Sequence, residues 1–221
     1  MATLWKFVSA SKDVMKGLVA VASSRDEEGP WQDDPRWLEL LGRADEILFL
    51  GEEWHTLHVL LTGQRWGGHA PLGQALLGRP LLGRVVLDEE ALAGWPAYAN
   101  EELADLEVVP AGKLTPEQVP AVAAALRAVD GPALVAGFDP KALRERGVFP
   151  WKDFLADRKK RPRADKQAPG VWHDAVAGVA IAEPELPAFL VSRLAALTAF
   201  YERSAQASRG VFQCPFGAGG G

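Results

Sequence analysis

The stretch EEWHTLHVLLTG, residues 52–63, decides how the chain must fold. Trp54, Leu57 and Leu61 recur at helical spacing, and Val59 and Leu60 widen the apolar stripe into a broad face. A helix that is apolar over so much of its circumference is stable only when other elements surround it, so the stretch predicts a buried central helix. Gly63 supplies its C-terminal stop.

The flanking sequence reads as the material that covers this helix. Upstream, TLWKFVS at 3–9 has the aromatic and β-branched content of an opening strand, and Ser11 is placed to cap a short helix through Ala22. SSRDEEGPWQDDP at 23–35 is polar and broken by Gly29, Pro30 and Pro35, which predicts a surface connection fastened to the core by Trp31 and Trp37. PRWLELLGRADEILFLG at 35–51 opens with a short helix. Downstream, the glycine-rich link QRWGGHAP at 64–71 leads into LGQALLG, a short helix ending at Gly78. Leu82–Leu87 and Leu106–Val109 read as strands. In LTPEQVPAVAAALRAV at 114–129, Thr115 is the candidate cap, Pro116 suits the first turn, Gln118 fits the reciprocal capping position, and Val119, Val122, Ala123 and Leu126 form the buried face.

FDPKALRERG at 138–147 carries the same grammar, with Asp139 as cap, Pro140 opening the helix and Gly147 stopping it. FPWKDF follows as an aromatic junction. DRKKRPRADKQAPG at 157–170 has too much charge for a core element and reads as an exposed loop. A long helix is expected from Glu185 to Ser204, with Leu190, Leu194, Leu197 and Phe200 or Tyr201 on one face, before GVFQCPFG adds an edge strand. The resulting expectation is an α+β fold: a short mixed or antiparallel sheet packed by several helices in one compact domain over residues 1–216, with a flexible glycine-rich tail at 217–221.

Composition narrows the functional classes. With 221 residues and 48% hydrophobic content the chain can build a substantial core. A formal charge of −5 gives no global reason to expect nucleic-acid binding. Cys214 is the sole cysteine, which excludes an intrachain disulfide and a multi-cysteine zinc site. Neither a secretory leader nor an apolar run of transmembrane length is visible, so the cytosol is the expected compartment and no membrane association is expected. Walker A, GxGxxG, HExxH and GxSxG patterns are all missing, and no cofactor is predicted.

Among candidate functional residues, His55 and His58 stand three positions apart on one side of a helix. That spacing suits packing and hydrogen bonding, proton transfer in a pocket with Thr62 and a carboxylate from Glu52, Glu53, Asp139 or Asp153, or metal coordination if further ligands converge. Ser9 is a second hydroxyl without a visible triad. Trp54, Trp66, His69, Asp139 and Trp151 are candidates for a ligand wall or interface; core support is the competing reading for the tryptophans. Arg158, Lys159, Lys160, Arg161, Arg163 and Lys166 form a basic patch that suits phosphate or an acidic partner and equally suits a solvated loop. Cys214 has no histidine partner in view and reads as structural. Phe149, Trp151 and Phe154 are candidates for an oligomer surface.

Several blocks occur in a specific order: WHTLHVLLTG at 54–63, PLGQALLG at 71–78, LTPEQV at 114–119, FDPKAL at 138–143 with GVFP at 147–150, LAALTAFYERSA in the final helix and GVFQCPF at 210–216. In this order they resemble the bacterial YfbM-like family, which carries domain of unknown function 1877, over approximately residues 3–216. The resemblance implies a compact α+β fold with helices packed on a short sheet. It implies no reaction and no catalytic set; Trp54, His55, His58, Thr62 and Gly63 match its most recognisable segment as site or scaffold residues. Glu52 and Glu53 stand where the family often has Asp-Lys, and the basic run from Arg158 replaces an acidic tendency. Three functional readings remain: a binding or interaction protein, such as an adaptor or inhibitor, that engages a protein or small molecule; an acid-base or hydrolytic enzyme with its pocket near His55 and His58; and a structural or assembly role through Phe149, Trp151 and Phe154.

Overall fold

The computed structural model describes residues 3–23, 34–65, 68–82, 85–86, 111–148, 171–174, 176 and 179–217. In chain order the elements are β1 (Thr3–Ala10), α1 (Lys12–Ser23), α2 (Pro35–Gly42), β2 (Glu46–Leu50), α3 (Glu53–Thr62), α4 (Gln74–Leu77), β3 (Arg79–Leu82), β4 (Val85–Val86) and β5 (Gly112–Leu114). They continue with α5 (Val119–Arg127), α6 (Gly131–Val135), α7 (Pro140–Glu145), β6 (Val171–Asp174), β7 (Val179–Ala182), a 3-10 turn at Glu183–Glu185, α8 (Leu186–Gln206) and β8 (Gly210–Gly217).

The alternation within β1 and β8 sets the layering. Trp5 and Phe7 point to one side of the sheet and Val8 and Ala10 to the other; Val211 opposes Phe212 and Cys214 in the same way. A sheet apolar on both faces needs helices on both. α1 and α2 cover the Val8/Phe212 face, with Val14, Leu18 and Trp37 buried there. α3, α4, α5 and α8 cover the Trp5/Phe7 face, where Trp54, Leu57, Val122, Leu197 and Phe200 meet.

The main sheet runs β2-β1-β8-β5-β3-β4 and its described pairs are antiparallel. The two ends of the chain therefore form its middle: β8 pairs with β1 from Ala10↔Gly210 to Thr3↔Gly217 and with β5 on its other side. This corrects the expectation of an edge strand at 210–217. A strand whose residues are buried on both faces, as Val211, Phe212, Gln213 and Cys214 are, belongs inside a sheet.

Other boundaries also move. The run from Leu82 to Leu87, expected as one strand, is divided into a hairpin in which Leu82 pairs with Val85. α5 begins at Val119 rather than beside Thr115, because Pro116 to Gln118 form a turn; half of the expected capping box survives, with the Thr115 amide donating to Gln118 Oε1 at 2.9 Å. Asp139 caps α7 as its position predicts, accepting from the Lys141 amide at 2.8 Å. β2, β5, α6 and the separate hairpin of β6 and β7 are elements that the reading of the sequence missed. The expected strand at 106–109, the aromatic junction, the basic loop and residues 218–221 of the tail lie outside the described residues.

α4 shows how the core accommodates an element too short to satisfy its own backbone. In a four-residue helix the Gln74 carbonyl takes the Gly78 amide at 2.9 Å, the later carbonyls are left for partners outside the helix, and Gln74 to Leu77 are all buried. Three distant side chains supply the donors. Trp5 Nε1 donates to the Leu76 carbonyl at 2.7 Å, the Tyr201 hydroxyl to the Ala75 carbonyl at 2.7 Å, and Gln213 Nε2 to the carbonyls of Gln74 and Ala75 at 3.3 and 3.2 Å as well as to the Tyr201 oxygen. Burial pushes the Tyr201 phenol well above its ordinary range, so it remains a donor throughout the physiological range. Close approach of α4 and β5 also requires Gly112, where a Cβ would lie 1.9 Å from the Leu77 carbonyl oxygen.

Replacing Tyr201 with phenylalanine removes the hydroxyl between Ala75 and Gln213 while keeping the ring. A loss of about 1–3 kcal/mol is expected, the cost of leaving buried polar groups without their bond. Urea unfolding followed by circular dichroism checks it; a shift of less than about 0.5 kcal/mol, the range of neutral surface changes, would show that the network contributes little.

Candidate functional site

The helix that carries the histidines is enclosed as its sequence demands. From Glu53 to Val59 every side chain of α3 is buried, and Gly63 ends the helix at φ 71° with its amide donating to the Val59 carbonyl at 2.8 Å. Trp54 stacks on Trp5 with ring centroids 4.6 Å apart and on the His55 ring at 4.9 Å. Trp54 is thus core support on the sheet.

His55 and His58 are both 0% exposed. His55 Nε2 lies 2.8 Å from the Arg65 carbonyl. A carbonyl only accepts, so Nε2 carries the proton in this contact. Burial, together with the nearby charges of His58, Arg65 and Arg146, pushes the His55 pKa down to about 3, against the smaller opposing effect of the Arg65 hydrogen bond. The ring is a neutral donor that ties the segment after α3 back to the helix.

Glu53, Thr62, Ser9 and Asp139, candidates to complete a histidine centre, serve other groups. Glu53 accepts from the Gly51 amide at 2.9 Å and pairs with Arg193 of α8 at 3.1 Å. The Thr62 hydroxyl donates to the His58 carbonyl at 2.7 Å and accepts from the Gln64 amide at 3.1 Å, a helix-end arrangement. Ser9 and Ser204 place their hydroxyls 2.9 Å apart between β1 and α8. Asp139 is exposed and serves α7; His69 is exposed, with its carbonyl accepting from Gly73. Trp66, Trp151, Asp153 and the basic patch from Arg158 to Lys166 lie outside the described residues.

Cys214 is buried within the α1/α2 layer opposite Lys6, and burial pushes its thiol up to about 12, out of the range in which a thiolate forms. Among the described residues no group of three or more His, Cys, Asp or Glu side chains is placed to hold a metal ion.

Among the described residues an open concavity lies elsewhere, between α1 and the chain leaving β5. A cavity of about 510 Å³ has Met15, Val19, Leu114 and Pro116 as apolar walls, with Lys12, Lys16 and Lys113 around it and Glu117 at one side. Lys12 and Lys16 are one turn apart on α1 and exposed, which the sequence allowed one to see; Lys113 is on a three-residue strand that pairing with β8 brings beside them. The reading of the sequence missed this site because its two walls are about a hundred residues apart and join only through the sheet.

A family model for the domain of unknown function 1877 matches residues 1–176. Among solved structures, the crystal structure of YfbM from Escherichia coli, a protein of unknown function, superposes with a TM-score of 0.55 at 16% sequence identity, over 96% of this chain and 99% of that one. At that identity the likeness is one of fold, and it extends beyond the residues that the family model matches. No curated protein matches the chain. With most of its length matched by the family model and the fold reproduced by a solved relative, the chain belongs to the family defined by the domain of unknown function 1877.

Proposed function

We propose that this chain is a cytosolic binding protein and that its ligand sits in the cavity between α1 and the chain leaving β5. The observation that carries the reading is the contrast between two places: a 510 Å³ concavity with apolar walls and a polar rim, and a histidine pair with no exposed surface. Small-molecule sites occupy clefts of roughly 300–1,000 Å³ with mainly apolar walls and few polar groups, which this cavity matches. An adaptor or inhibitor would press the same surface against a protein segment; a concavity of small-molecule volume favours a small molecule. An acid-base reaction at His55 would need a substrate within hydrogen-bond reach of a ring that is wholly covered and already bonded to Arg65.

The chain contains two methionines, Met1 and Met15, so a sample labelled at methionine methyl groups has one reporter in the cavity wall and one at the terminus. Screening a small-molecule library by this readout is expected to give ligands that shift the Met15 signal and leave Met1 in place. Ala20, an exposed residue lining the cavity, offers a blocking change: Ala20→Trp is expected to weaken those ligands while altering stability by no more than about 0.5 kcal/mol. Ligands that bind without moving Met15, and equally well to Ala20→Trp, would place the binding surface elsewhere.

A further inference from the structure

The charge around this cavity identifies the class of ligand, an inference that rests on the cavity being the binding site. We propose that it takes a small monoanion with an apolar body, such as a medium-chain alkyl or aryl carboxylate. The body is specified by Met15, Val19, Leu114 and Pro116, which give an alkyl chain or ring a surface to leave water on.

The head is specified by an imbalance. Three lysines and a single carboxylate line the cavity among the described residues, on a chain whose overall charge is −5. The carboxylate is engaged locally: the Thr115 hydroxyl bonds Glu117 and, with its own amide and the more distant Lys12, holds its carboxyl below the usual range. None of the three lysines takes part in an ion pair among the described residues, although Arg36, Arg127, Arg193, Arg203 and Arg209 each have a carboxylate partner. Glu117 offsets one of the three lysine charges and leaves an excess of two around the cavity, to which Lys16 on α1 and Lys113 on β5 contribute from the two walls. Two excess positive charges on the lining of an apolar cavity favour one negative head, and Glu117 disfavours a second negative group on the same ligand.

The test uses the full chain and three probes with the same eight-carbon body: octanoate, octanol and octylammonium, titrated while the Met15 methyl signal is followed. Octanoate is expected to bind about three- to tenfold more tightly than octanol, the range for two partly exposed ion pairs, and octylammonium more weakly than either. Raising the salt to 0.5 M is expected to narrow the gap between octanoate and octanol, since exposed pairs are screened within a few ångströms at that ionic strength. The double variant Lys16→Gln/Lys113→Gln is expected to bring octanoate to within about twofold of octanol, with octanol itself unaffected. Equal binding of octanoate and octanol to the unmodified chain would overturn the anion assignment and leave the binding cavity standing. Failure of all three probes to shift Met15 would overturn the cavity as a binding site, and the ligand class with it.

Discussion

Replacing Trp54 with alanine is expected to lower the free energy of unfolding by about 3–5 kcal/mol, the range for emptying a large aromatic site in a packed core. Trp54 is 1% exposed and stacks on both the Trp5 ring of β1 and the His55 ring of its own helix. Its removal loses the transfer free energy of the indole and opens a cavity against β1, where Trp5 also holds the Leu76 carbonyl of α4. The sheet and a helix contribute walls to that cavity, so collapse to fill it would have to drag both. Urea or thermal unfolding measures the change. Trp54→Phe separates packing from any ligand role: it is expected to recover a large part of the loss because it keeps an aromatic face against Trp5. A Trp54→Ala variant with unchanged stability and a lost ligand would instead make Trp54 a binding residue.

The second large effect follows from pH. His55 has a folded pKa of about 3 against an ordinary value of 6.5, chiefly because burial penalises the imidazolium. Below pH 6.5 the unfolded chain takes up a proton that the folded ring refuses. The contribution of the buried neutral ring is therefore complete above pH 6.5, falls as pH drops, and stops falling near pH 3 where the folded ring protonates too. The slope approaches about 1.4 kcal/mol per pH unit, and between pH 7 and 5 this ring accounts for a loss of about 2 kcal/mol. Urea unfolding at pH 7, 6 and 5 for the unmodified chain and for His55→Gln isolates it, since glutamine offers Arg65 a donor without titrating. The variant is expected to lose about 2 kcal/mol less than the unmodified chain over that interval. Parallel pH profiles for the two proteins would mean that His55 is not the protonation site.

Both effects concern residues whose importance was visible in the sequence, though not the reason for it. The histidine spacing on α3 favours core packing and hydrogen bonding yet admits a metal or a proton relay, because helical spacing puts side chains on one side without stating what lies opposite. What His55 meets is the Trp54 ring and the carbonyl of Arg65. Capping grammar was more informative because it is local: Asp139, Pro140 and Gly147 bound α7 as expected, and Gly63 ends α3 in the left-handed conformation that glycine tolerates. The same local grammar overstated Thr115, where Pro116 to Gln118 form a turn first and the helix starts later.

Strands were the harder elements. β5 is three residues long and β4 two, too few for alternation to be recognised, and they exist because neighbouring strands supply their hydrogen bonds. β8 has a sequence that suits a strand anywhere; its central place follows from pairing with β1 across some two hundred residues of chain. The network of Trp5, Tyr201 and Gln213 on α4 gives no local signal for the same reason, since each donor is remote in sequence from the carbonyl it serves.

The sequence by itself determined that the central helix at 53–62 is buried, that α8 presents Leu190, Leu194, Leu197, Phe200 and Tyr201 to the core, and that the chain is an α+β member of its family, because periodicity, caps and ordered blocks are properties of neighbours along the chain. Tertiary structure alone decided that the two chain ends meet in the middle of the sheet, that His55 is a neutral donor sealed from water, and that Lys16 and Lys113 flank one cavity. Those outcomes depend on which surfaces exclude water together and which strands pair, quantities set by contacts between segments far apart in sequence.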